Sequence, residues 1–374
     1  MTDKKEFFPQ GLALGNNFCN RLDEQKRLLN NIQSTSATLI ASPRRYGKTS
    51  LALNVLYKYK IPFAFIDLYA EIDEEGIANT ILSGIGDVLY QLESAPQKAM
   101  KAVTDFFAGL SISFGFKGAQ VKVGFSKVRK TPARLLLTTL KELDAILQRK
   151  KKKIVLFLDE FQRVSEVSES MAIEGALRNI AQQTRNISFI FSGSNRHLLN
   201  DMFNDRAKPF YNLCDKITLS RIEEKDYIPF IQKKAQKKWK KSLKKEAIEE
   251  IFVLTQRHPY YLNVLCHRLW YRKEPPTVST TLHEWEQYTQ EEKNKVMMEL
   301  ERLSVNQSKM IIAISKYGAK YRPSGRDFLA LSKFSSSSAI QTLKKLQVLD
   351  YLYINKEGQY CLLDPVIEYL FAKE

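Results

Sequence analysis

The stretch Ser42-Pro43-Arg44-Arg45-Tyr46-Gly47-Lys48-Thr49 constrains this chain more than any other. It is nearly the phosphate-binding pattern GxxxxGK[ST], and Ser42 stands where the pattern has glycine. Before it lies the apolar run Ala37-Thr38-Leu39-Ile40-Ala41, which reads as a buried strand. After it, Leu51, Leu53, Val55 and Leu56 give an apolar face to a helix that starts at Lys48. Strand, loop and helix in that order make a cradle for anions. Backbone N–H groups of the loop and the positive end of the helix dipole face phosphate oxygens. Gly47 permits close approach, Lys48 supplies charge for the β and γ phosphates, and the Thr49 hydroxyl is suited to Mg²⁺, with Ser50 next in the helix.

The rest of the first two hundred residues repeats the strand–helix alternation. Residues 62–68 and 187–194 read as further buried strands, and 76–92, 133–147 and 171–183 as helices. This is the rhythm of a parallel, doubly wound sheet. At 111–126 the pattern changes to alternation about a Lys117-Gly118-Ala119-Gln120 turn, which reads as an inserted β-hairpin. The most apolar strand, Ile154-Val155-Leu156-Phe157-Leu158, ends in Asp159 and Glu160. Two acids there lie at the carboxyl edge of the sheet, where ligands of such sheets bind. Asp159 would hold Mg²⁺ through water, and Glu160 would orient or activate the water attacking the γ-phosphate of ATP. A third strand end, Ser192-Gly193-Ser194-Asn195, brings small polar groups to the same edge. Ser194 or Asn195 would sense the γ-phosphate or simply make a turn. Arg178, Arg196 and Arg206 are candidates for the arginine that stabilises transferring charge, and Arg44 and Arg45 could touch phosphate or a partner. His197 and His267 read as structural histidines.

Beyond about residue 206 strand signals fade. Residues 225–254 and 259–273 read as helices, with a breaker at Glu274-Pro275-Pro276. Residues 301–374 offer three helices and two short strands about a Lys356-Glu357-Gly358 turn, the pattern of a winged helix-turn-helix. The expected division is therefore a P-loop α/β core at 1–205, a helical lid at 206–300 and a winged helix at 301–374.

These motifs resemble the archaeal-type ATPases of the STAND branch of AAA+ P-loop proteins. The similar residues are Phe18-Cys19-Asn20-Arg21-Leu22-Asp23-Glu24, the loop, Phe157-Leu158-Asp159-Glu160-Phe161-Gln162, Gly193-Ser194-Asn195-Arg196-His197, Lys208-Pro209-Phe210-Tyr211, Arg257-His258-Pro259-Tyr260-Tyr261 and Leu362-Leu363-Asp364-Pro365. The resemblance thus spans nearly the whole chain. It implies that Asn20 and Arg21 lie beside the nucleotide base, and that His258 and Pro259 belong to a lid contact. It also implies a slowly hydrolysing switch that carries ATP or ADP. Departures are Ser42 in the loop and Arg257, where the family usually has glycine.

Charge bears on partners. The 374 residues carry a net +17 from 58 Lys and Arg against 41 Asp and Glu. Residues 206–245 hold 13 basic residues against 4 acidic, and Arg149 to Lys153 are basic without exception. Ile231, Ala235, Trp239, Leu243 and Ala247 recur every four residues, so the intervening lysines would cover the other faces of one helix. Such a face would be a solvated surface or a contact for DNA or another polyanion. The expected recognition helix carries only Lys344 and Lys345, with Gln341 and Gln347, so the winged helix would read DNA or act as an intramolecular clamp. A protein partner or self-association is also open. Cys19, Cys214, Cys266 and Cys361 form no CxxC pair, which argues for reduced core thiols. No apolar run approaches the roughly 20 residues of a membrane helix, and residues 1–8 lack an export signal, so a cytoplasmic location is expected.

Overall fold

The computed structural model describes residues 7–110, 112–117, 120–124, 131–167, 171–318, 325–355 and 357–372. It resolves into two compact units, Arg21–Leu219, and Met1–Asn20 together with Ser220–Glu374.

The first unit contains helices α1 (Leu22–Ser34), α2 (Lys48–Lys58), α3 (Glu74–Gln91), α4 (Pro96–Gly109), α5 (Pro132–Lys150), α6 (Arg163–Val167), α7 (Ala172–Gln183) and α8 (Arg196–Asn204). Its strands are β1 (Thr38–Ala41), β2 (Phe63–Asp67), β3 (Ser113–Lys117), β4 (Gln120–Gly124), β5 (Ile154–Asp159), β6 (Ile187–Gly193) and β7 (Asp215–Ile217). Five of them form one sheet in the order β2-β5-β6-β1-β7, every pair parallel. This is the P-loop NTPase core. Strands β5 and β6 are buried at every position, as expected for a sheet covered on both faces. The expected hairpin is β3–β4, and Phe125 of that reading lies outside the described residues. It packs on α3 through fixed bonds: Val121 N–H donates to Asp87 at 2.8 Å and Val123 N–H to Ser83 at 3.1 Å. Gly86 allows this approach, because a Cβ there would fall 2.6 Å from Val121.

Two sequence expectations change here. Strand β7 lies beyond residue 206 and pairs with β1, so the sheet continues to Ile217 and the unit to Leu219. Residues 7–20, expected in the α/β core, belong to the second unit. There Phe8 is fully buried, with its ring centroid 4.6 Å from that of Trp270 and 5.9 Å from that of Phe230.

The second unit contains α9 (Glu224–Trp239), α10 (Lys245–Thr255), α11 (Pro259–Leu269), α12 (Val278–Leu300), α13 (Val305–Tyr317), α14 (Arg326–Ser332), α15 (Ser336–Val348), strands β8 (Leu352–Ile354) and β9 (Tyr360–Leu362), and α16 (Pro365–Ala372). The single helix expected over 225–254 is two. Lys240 takes a left-handed conformation (φ 59°) that ends α9, and α10 begins five residues later. Nor do all its lysines face solvent. Lys234 is buried and donates to the Asn17 side chain at 2.7 Å and to the Phe7 carbonyl, with its ammonium 4.7 Å from the Phe230 ring centroid. Burial first, and the neighbouring Lys237 second, depress its pKa to about 8. All four cysteines are free thiols, and burial raises the pKa of Cys214 and Cys266. No described helix is long and apolar enough to cross a membrane.

Candidate nucleotide site

Sheet order determines which side chains meet. Strand β6 lies between β1, which leads into the loop, and β5, which ends in the acids. Ala41 pairs with Gly193 and Leu158 with Phe191, so the three strand ends finish level and their polar residues converge.

The loop joins β1 to α2 through two left-handed residues, Arg45 (φ 66°) and Gly47 (φ 87°). Gly47 is the helix N-cap, and a Cβ there would meet no atom within 4 Å; glycine is required for its backbone angle and not for lack of room. Lys48, buried at the start of α2, donates to the carbonyls of Ser42 at 2.8 Å and Pro43 at 3.1 Å. Its ammonium is thus held over the loop, where phosphate oxygens would compete for it. Ser42 has a role of its own. Fully buried, its hydroxyl donates to the Ala41 carbonyl at 2.8 Å and accepts from Leu219 N–H at 2.6 Å. The departure from glycine ties the loop's first residue to the chain leaving β7.

Thr49 Oγ1 donates to Asp159 Oδ2 at 2.7 Å, and Ser192 Oγ donates to the other carboxylate oxygen, Oδ1. A hydroxyl and a carboxylate in contact at a helix N-terminus are suited to one end of a Mg²⁺ shell, and phosphate and water would complete it. Among the described residues no cluster of three or more His, Cys, Asp or Glu offers a metal cage.

Glu160 is held by its neighbours. Phe161 is fully buried in a ring cluster with Phe191, Phe203 and Phe210, at centroid distances of 4.5, 6.0 and 5.3 Å. Its N–H donates to the Ser192 carbonyl at 2.8 Å. With Asp159 fixed on one side and Phe161 on the other, Glu160 turns through the left-handed region (φ 51°), which costs a non-glycine residue about 1–2 kcal/mol. Its Oε2 accepts from Gln162 Nε2 at 2.5 Å and from Ser194 Oγ at 2.9 Å. Arg44 Nε donates in turn to Ser194 Oγ at 3.2 Å, so the loop, β5 and β6 share one polar chain. Gly193 makes room for it: a Cβ there would lie 2.0 Å from Gln162 Oε1.

The structure thus brings together Ser42, Pro43, Arg44, Arg45, Tyr46, Gly47, Lys48, Thr49, Ser50, Asp159, Glu160 and Ser194. Arg21 joins them, since its buried guanidinium donates to the Tyr46 carbonyl at 3.4 Å. Asn195 is used differently, with Oδ1 capping α8 by accepting from Leu198 N–H at 3.2 Å. Arg178 is exposed on α7, Arg196 is half-buried at the first position of α8, and Arg206 is exposed after it. Asn20, His258 and Pro259 belong to the other unit. There buried His258 caps α11, accepting from Tyr260 N–H at 3.2 Å, and Pro259 is the first helical residue. Arg257 before it sits at φ 58°, a backbone angle that favours the glycine usual in the resembled family. Sequence reasoning puts Ser192 at this edge and Gln162 in the acid-tipped motif, but assigns neither the bond it makes to Asp159 or Glu160. The signal for Gln162 was its place two residues after the acid, where a turn returns a side chain to its predecessor.

No protein-family model and no curated protein matches the chain. Among solved structures it is similar to the Walker-type ATPase PABY2304 of Pyrococcus abyssi, with 20% identity and a TM-score of 0.70 over 98% of this chain and 99% of that one. It is also similar to the Aeropyrum pernix ORC2 protein in its ADPNP-ADP complexes, with 13% identity and a TM-score of 0.59 over 100% and 96% of the two chains. At such identities the likeness establishes the fold. Together with the strand order and the converging loop and acids, it makes this chain a P-loop NTPase fold with a helical C-terminal region.

Proposed function

We propose that the chain binds ATP with Mg²⁺ on the 42–49 loop and hydrolyses it slowly, as a nucleotide-controlled switch of the STAND type within AAA+ proteins. The observation that carries this reading is the meeting of Thr49 with Asp159, next to a Glu160 held by two donors. Lys48 and the loop N–H groups would bind the phosphates, and Thr49 and Asp159 would hold the metal directly and through water. The bound metal would supply charge neutralisation for the transferring phosphoryl group. Glu160 would orient the attacking water, and Ser194 would sense the γ-phosphate through its bonds to both Glu160 and Arg44. The neighbours' names support the reading, one being a Walker-type ATPase and the other a protein complexed with ADPNP and ADP. Equilibrium binding and turnover of Mg·ATP test it; a Lys48→Ala variant that still binds ATP would remove the site assignment.

The second reading is nucleotide-regulated DNA binding through a winged helix, a reading that the element order α13, α14, α15, β8, β9 supports. On α15, Gln341, Lys344 and Lys345 are all exposed. A Lys344→Ala/Lys345→Ala variant would then weaken duplex binding and lower its salt slope. Equal binding by variant and wild type would reject it.

A further inference from the structure

In a parallel sheet every helix-to-strand connection arrives at the same edge, here the one opposite the nucleotide loop. The β2, β5 and β6 entries are adjacent in the strand order. They carry Lys58 and Lys60, then Arg149 to Lys153, then Arg185, eight cations that are all exposed. Adjacent strands are about 4.8 Å apart, so three entries span about 10 Å. That is roughly three nucleotide rises along the axis of a duplex, at about 3.4 Å each.

The rim is also braced. Lys153 Nζ donates to the Gln33 carbonyl at 3.0 Å and to Thr35 Oγ1 at 3.2 Å, and Thr35 Oγ1 donates to the Arg185 carbonyl at 3.1 Å. Asp144 on α5 accepts from Thr184 at 2.5 Å and from Asn186 at 2.9 Å, which joins the α5 and α7 ends. Acids at this end are largely committed. Among the described residues Glu93 pairs with Lys150 at 2.5 Å and Asp215 with Arg27, while Asp105 and Arg149 line one surface groove. Lys60 (φ 51°) and Lys151 (φ 53°) occupy left-handed turns that glycine would fill with less strain. Helix dipoles favour a cation or two in a last turn, but not five consecutive ones. Exposed Tyr57 and Tyr59 flank Lys58, whose ammonium is 5.4 Å from the Tyr59 ring centroid.

We infer that this rim is a second functional surface, a sequence-independent docking site for the phosphate backbone of a nucleic acid, at the sheet edge opposite the nucleotide site. It needs neither ATP hydrolysis nor the winged helix. The observations favour nucleic acid over an acidic protein: the cations lie on three adjacent strand entries, and the exposed faces of Tyr57 and Tyr59 lie beside them for bases to stack on.

The test uses the full chain and fluorescent duplex and single-stranded oligonucleotides of arbitrary sequence, read by anisotropy between about 50 and 200 mM salt. Lys58→Ala/Lys60→Ala/Lys151→Ala/Lys152→Ala should weaken binding at least about tenfold and lower the log–log salt slope by about 3. The matching set of Lys→Arg changes should bind as wild type, and ATP turnover and unfolding midpoint should be unchanged in both. A Lys233→Ala/Lys237→Ala/Lys238→Ala variant on α9 should retain the rim's share of the slope. Four results overturn the proposal: no binding by wild type, full binding by the alanine variant, loss of binding in the arginine variant, or displacement of the oligonucleotide by polyglutamate at equal charge concentration. The last would assign the rim to acidic proteins.

Discussion

Ser42 Oγ accepts a hydrogen bond from Leu219 N–H at 2.6 Å, across 177 residues of chain. The same hydroxyl donates to Ala41, so the one position where the phosphate loop departs from glycine is a buried staple between the loop and the end of β7. Reverting to the usual residue therefore costs stability. Ser42→Gly leaves a buried N–H unpaired, worth about 1–3 kcal/mol, and frees backbone entropy in the unfolded chain. Urea unfolding should show a lower midpoint with an unchanged slope; an equal or higher midpoint would mean the staple contributes nothing.

Gln162 Nε2 donates to Glu160 Oε2 at 2.5 Å, so in the proposed reaction it would be a positioning residue for Glu160. Gln162→Ala should lower turnover at saturating ATP by about tenfold to a hundredfold, the range seen when an orienting partner of a functional group is lost, and leave KM within a few-fold. Gln162→Glu sets a like charge against Glu160 and should shift the pH–rate profile, a change that simple loss of packing would not cause. A change in KM alone would assign Gln162 to ground-state binding.

A Cβ at Gly193 would lie 2.0 Å from Gln162 Oε1, so a larger residue fits there only if the Gln162 side chain moves. Gly193→Ala must displace the Gln162 amide, so its loss of turnover should be no additional burden in the Gln162→Ala background. A double-mutant cycle measures this; independent, additive losses would show that Gly193 acts elsewhere.

Lys234 makes stability depend on alkaline pH. Its pKa falls from 10.5 to about 8 on folding. Below pH 8 both states carry the proton and the cost of burying the charge is present in full. Between about 8 and 10.5 the folded state releases the proton while the unfolded chain keeps it, so this contribution makes stability rise with pH. The wild-type minus Lys234→Met difference in unfolding free energy should rise across that window, and a flat difference would contradict the burial of this ammonium.

Much of this was legible in the chain itself, for a physical reason. A phosphate cradle needs contiguous residues, so Ser42 to Thr49 announce themselves, and a sheet buried on both faces writes β5 and β6 as unbroken apolar runs. Strand β7 is only three residues with two of them half-buried, too short for a pattern. The break at Lys240 is hidden because lysine suits a helix and, at some cost, a left-handed turn. Lys234 read as one more surface lysine, since only the packing of Phe8 and Asn17 against it reveals burial. The bond between Ser42 and Leu219 has no local signature at all.

The central claim is that Glu160 acts on the attacking water while Lys48 holds the nucleotide. Glu160→Gln should bind Mg·ATP within a few-fold of wild type and lose at least about a hundredfold in single-turnover hydrolysis, in line with removal of a general base. Unchanged hydrolysis in Glu160→Gln, measured alongside its ATP affinity, would contradict the account.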